Sequence, residues 1–80
     1  MKLQKAIALR VSKLLREKNM SCYSLSLKSG LTKQAISNIL NEKYNSAKFD
    51  TIFKLADGFD MSILEFLDDE AFERTKLDIE

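Results

Sequence analysis

The sequence predicts an all-α fold, a single domain of five helices, on three observations. The 80 residues contain no proline and only two glycines, a composition that favours helices over turn-rich sheet architectures. Apolar residues recur along most of the chain at the spacing of one helix face. The breaks between these runs are followed by Ser21, Thr32 and Ser62, residue types whose hydroxyls cap helix starts. A chain of this length buries only roughly 60% of the surface it exposes when unfolded, which leaves room for one core and no second domain.

The first helix is expected from Leu3 to Lys18, with Leu3, Ile7, Val11, Leu14 and Leu15 on one face and Lys2, Lys5, Lys13 and Arg16 elsewhere on the wheel. Asn19-Met20 breaks it. Ser21 caps a short second helix by accepting from an N–H near Ser24, and that helix ends at Gly30, a residue that enters the left-handed region without strain. Thr32 caps a third helix running to about Asn41, and Glu42 to Lys48 reads as a polar loop.

A fourth helix begins near Phe49 or Asp50 and carries Ile52, Phe53, Leu55, Ala56 and Phe59, a wide apolar face expected to be buried, before a turn over Gly58 to Met61. Ser62 and Glu65 stand at capping-box spacing for a fifth helix, whose apolar content is Ile63, Leu64, Phe66 and Leu67. The domain is placed at residues 1–68. Residues 69–80 form an acidic tail that is a sixth helical segment, frayed, or ordered only on a partner. In that region Phe66, Leu67 and Phe72 offer material for a two-fold interface.

Net charge is +1, but it is divided unevenly. Residues 1–48 hold ten Lys/Arg and two Glu (+8), whereas residues 49–80 hold three Lys/Arg and ten Asp/Glu (−7). This division fits a basic half that meets a polyanion and an acidic half turned away from it; solvated helix faces are the plainer explanation. Lys5, Arg10 and Lys13 interrupt the apolar stretches near Met1, so neither a signal-peptide core nor a membrane span is expected, and the location read from this is cytoplasmic.

Enzymatic function is disfavoured by the residue inventory. There is no histidine, no Gly-rich phosphate loop and no recognisable pair of carboxylates in a cleft. Cys22 has no second cysteine for a disulfide or a zinc site and no neighbouring base to activate it. No catalytic residue, metal or cofactor is expected.

The informative surface is on the third helix. At about 100° per residue, Lys33, Gln34, Ser37, Asn38 and Asn41 share a face roughly 140° wide, opposite Ala35, Ile36, Ile39 and Leu40. That polar face contains no carboxylate, which suits a helix lying against phosphates. Its Gln and Asn can pair bidentately with adenine N6 and N7, and its Lys can reach guanine O6 and N7. A short helix, a turn at Gly30 and a second helix capped by Thr32 make a helix-turn-helix, which places its second helix in the major groove of double-stranded DNA. N–H groups at Ser21, Cys22, Thr32 and Lys33 are available at helix starts for phosphate oxygens.

The stretch SCYSLSLKSGLTKQAISNILN, Ser21 to Asn41, resembles the Cro and phage-repressor type of helix-turn-helix family, also called the xenobiotic-response-element family. Leu25, Ser26, Gly30, Leu31, Ile36 and Ile39 stand at its motif positions, and Ile7, Val11 and Leu14 match its first helix. FDTIFKLADGFDMSILEFL, Phe49 to Leu67, looks like its fourth and fifth helices, so the resemblance covers about residues 3–67. It implies a lambda-repressor-like domain acting as a transcriptional regulator, a repressor, that binds DNA as a homodimer. Lys33, Gln34 and Asn38 would contact bases, and Ser21, Cys22, Thr32, Ser37 and Lys43 the DNA backbone. Tyr23 and Tyr44 either lie against the sugar-phosphate or cover core.

Three departures from the family pattern stand out. Leu40 replaces a glutamate that often pairs with an arginine matching Arg10, so Arg10 must find another partner. Glu42 occupies a frequent glycine position, so the recognition helix is expected to end on Asn41 in the left-handed conformation. The following loop lacks the usual proline and is one residue longer. An alternative function is a protein-interaction module, such as an antitoxin gripping a toxin or other partner through the C-terminal region.

Overall fold

A computed structural model describes residues 1–43 and 48–73. Five α-helices run in the order α1 Leu3–Glu17, α2 Cys22–Ser29, α3 Lys33–Leu40, α4 Phe49–Gly58 and α5 Ile63–Leu67, followed by a 3₁₀ turn at Glu70–Phe72. Among the described residues there is no strand. Residues 44–47, which include Tyr44, and residues 74–80, which include the apolar Leu77 and Ile79, lie outside the described residues.

The capping signals produce the expected helix starts. Ser21 Oγ accepts from the Ser24 N–H at 3.0 Å, and Thr32 Oγ1 from the Ala35 N–H at 3.0 Å. The Ser62–Glu65 capping box closes in both directions: Ser62 Oγ accepts from the Glu65 N–H at 3.1 Å, and Glu65 Oε1 accepts from the Ser62 N–H at 3.3 Å. Each bond satisfies a backbone donor that has no partner within its helix.

Helix ends departed further from expectation. Asn41 stays right-handed at φ −93°, and the left-handed residue is Glu42 at φ 57°. Glu42 N–H donates to Ile39 O (3.1 Å) and Lys43 N–H to Asn38 O (2.9 Å), the paired bonds of a Schellman ending. The glutamate thus takes the conformation of the glycine it replaces, because the position satisfies two carbonyls and its side chain projects into solvent. Asn19 (φ 53°) ends α1 in the same way and Asp60 (φ 58°) ends α4.

Gly58, expected in a turn, lies inside α4 instead. It is needed for close approach: a Cβ there would stand 2.8 Å from both Leu25 Cδ1 and Ser29 Cβ, so its bareness lets α4 press onto α2. The core assembles around Val11, Leu25, Ile36, Leu55, Phe59 and Phe66, all essentially inaccessible. One apolar expectation fails: Phe53 is 56% exposed, because α4 is short and has room for only one buried stripe; on α5, Leu64 is 78% exposed.

Phe66 belongs to that core, so it is unavailable to a two-fold interface, and Phe72 is half-buried with its ring 6.0 Å from that of Phe66. The Glu70–Phe72 turn packs on α1, with Ala71 buried. Its anchor is Arg10. The buried guanidinium donates from Nε to Phe66 O at 2.8 Å, from Nη2 to Glu65 O at 2.9 Å and from Nη1 to Asp69 Oδ1 at 3.4 Å, and it stands over the Phe66 ring. Lys13 Nζ reaches the same Asp69 oxygen at 3.1 Å. The arginine deprived of a glutamate at Leu40 is therefore served from the carboxyl-terminal side. Burial alone would raise the Asp69 pKa, but the Ala71 N–H and the charges of Lys13 and Arg10 outweigh it and hold the carboxyl below its ordinary value.

Candidate nucleic-acid interface

The α2–α3 unit is set by small side chains at its corner. Ser26 Oγ donates to Leu31 O at 2.7 Å, the Leu31 N–H donates to Ser29 Oγ at 3.1 Å, and Gly30 turns between them at φ 81°. Both serines thereby satisfy backbone groups of the turn that no helix serves. Leu25 on one side and Ile36 and Ile39 on the other are buried, which fixes the rotation of α3 about its own axis.

That rotation turns Lys33, Gln34 and Asn41 to solvent and leaves Ser37 and Asn38 half-buried beside them. The five side chains form one face, as the helical spacing implied. Gln34 Nε2 donates to Asn38 Oδ1 at 2.9 Å, and Asn41 Nδ2 donates to Ser37 Oγ at 3.2 Å, so the amides are tied in pairs one turn apart. Neither α2 nor α3 has an acid in its first turn. Glu42, just past the end of α3, is the nearest carboxylate in sequence to this face.

Ser21 and Cys22 sit at the amino end of α2, and Thr32 at that of α3. The Ser21 and Thr32 hydroxyls use an acceptor lone pair on their own caps, which leaves the O–H proton available as a donor. Lys43 lies beyond the Glu42 turn, at the opposite end of α3 from Thr32. Tyr23, open between two readings, is 58% exposed and does not cover core. Its ring lies under the Lys33 ammonium, with Nζ 5.7 Å from the centroid. No sequence spacing announces this contact, because it joins two helices whose mutual orientation is set by the turn.

The surface has no groups arranged for bond-making chemistry. It is a donor-rich, acid-free face on a helix anchored at its back, next to helix starts that carry hydroxyls. Among the described residues no cluster of three His, Cys, Asp or Glu could hold a metal ion, and no helix is long and apolar enough to cross a membrane.

Fold and face together define a helix-turn-helix protein. Comparison with known families matches residues 10–71 to the Cro/C1-type HTH DNA-binding domain, and the chain belongs to that family. No curated protein and no solved structure matches the chain. Membership makes it a DNA-binding regulator.

Proposed function

We propose that the protein is a sequence-specific double-stranded DNA-binding repressor that reads the major groove with α3, through Lys33, Gln34 and Asn38. The acid-free polar face of that helix, held outward by buried Ile36 and Ile39, carries this reading. Ser21, Cys22, Thr32, Ser37 and Lys43 contact the DNA backbone and set register, while the base-facing side chains discriminate. A domain bound over a promoter blocks transcription by occupancy, with no chemistry of its own and no cofactor. It acts in the cytoplasm, where that DNA is.

One recognition helix reads only a few base pairs, so the protein works as a homodimer on a palindromic site with half-sites about 34 Å apart. Phe49, Phe53 and Leu64, exposed along α4 and α5, support a compatible second activity in which this side grips a protein partner. The test is selection of binding sites from random duplexes at near-physiological salt, where phosphate attraction alone does not retain the protein. A palindromic enriched sequence is expected. Failure to enrich any sequence would transfer the function to the protein-binding side.

A further inference from the structure

We infer that Tyr23 is a positioning residue for DNA reading: its ring holds the Lys33 ammonium over the groove and so sharpens the choice of the one base that Lys33 contacts. The inference rests on the base-reading role proposed for Lys33.

Lys33 is the first residue of α3, and the first turn contains no acid. A cation there meets the positive end of the helix dipole, so its own helix gives it no favourable seat. A free lysine has four rotatable side-chain bonds and can slide to a phosphate as easily as to a base, contributing charge without discrimination. A carboxylate would hold the ammonium in place but would stand beside the DNA phosphates and repel them. An aromatic ring attracts the cation through its negative face and carries no charge.

Tyr23 supplies such a ring. It sits in the first turn of α2, is 58% exposed, and has the Lys33 Nζ 5.7 Å above its centroid. Because α2 is locked to α3 by the Ser26 and Ser29 bonds at the Gly30 turn, the ring is a fixed platform relative to the recognition helix. One side of the ammonium faces the ring. Tyr23 is exposed and forms no part of the core cluster, so its replacement is expected to leave the fold intact.

The experiment measures binding of Y23L, Y23F and K33M to the duplex selected by the unaltered chain, and to the duplexes carrying each other base at every position. Y23L is expected to lose about two- to fivefold in discrimination at the position relaxed by K33M, with preference at other positions and the salt slope kept. Y23F, which retains the ring, is expected to keep full discrimination, and Y23L added to K33M to change nothing further at that position. Equal weakening on all duplexes by Y23L would overturn the proposal and make Tyr23 a backbone contact. A Y23F loss as large as that of Y23L would overturn it by assigning the effect to the hydroxyl. If K33M relaxes no position, Lys33 reads no base and the underlying assignment fails, whatever Tyr23 does.

Discussion

The α2–α3 pair and the α4–α5 pair are built by the same local rules yet present opposite surfaces. Each is a short helix, a left-handed residue (Gly30 or Asp60), a hydroxyl cap (Thr32 or Ser62) and a second short helix. The two pairs pack together through α2 and α4, and Lys28 bonds to Asp60 across them, holding that carboxyl below its ordinary pKa. The outward faces differ. α3 shows Lys33, Gln34, Asn38 and Asn41, while α4 and α5 show Phe49, Phe53 and Leu64 among acids. Caps and turns specify a helix pair; the exposed side chains decide what it meets.

The largest expected effect lies where the carboxyl-terminal half is fastened to α1. Arg10→Met removes three hydrogen bonds and leaves half-buried Asp69 with only Lys13 to offset its charge and the Ala71 N–H as its backbone donor, and should lower unfolding free energy by about 3 kcal/mol in urea denaturation. A loss below about 1 kcal/mol would show that the 3₁₀ turn is not fastened through this group.

The glycines distinguish the two pairs next. Gly58→Ala forces a Cβ into Leu25 and Ser29 and should cost about 1–3 kcal/mol by displacing α4 from α2. Gly30→Ala meets nothing within 4 Å and suffers only its positive φ, a cost of about 1–2 kcal/mol. Comparable denaturation midpoints for Gly58→Ala and the parent would contradict close packing as the reason for that glycine.

Asp69 gives the fold a dependence on pH. Its carboxyl pKa is lowered in the folded protein, so its stabilising contribution is present above the ordinary carboxylate value of about 3.9 and is lost as pH falls through the folded value. Melting temperature followed downward from pH 6 should decline less for Asp69→Asn than for the parent, from a lower starting point. Parallel curves would mean that other carboxylates carry the acid sensitivity.

The smallest effect has the opposite sign. Glu42→Gly relieves a left-handed non-glycine residue in the Schellman ending of α3 and should stabilise by about 0.5–1 kcal/mol, visible as a higher denaturation midpoint.

What was legible in the sequence follows from the range of each interaction. Ser21, Thr32 and Ser62 cap neighbours three residues away, so the starts of α2, α3 and α5 could be read directly. The face of α3 was legible because helical periodicity alone groups its residues. Phe53 was misjudged because periodicity marks an apolar face without telling how much of it the neighbours cover. The Arg10–Asp69 contact joins residues 59 apart, and no local pattern encodes it. Glu42 misled for another reason: intrinsic preference favours Asn41 as the left-handed residue, but the carbonyls of Asn38 and Ile39 select the next position.

The central claim is that the α3 face reads bases, and base preference of Gln34→Ala measured on the selected duplex tests it most directly. Gln34 is exposed and its side chain donates to Asn38, so its loss should leave stability nearly unchanged while costing about 1–3 kcal/mol of binding and relaxing one base position in each half-site. An unchanged preference at every position, with unchanged affinity, would contradict it.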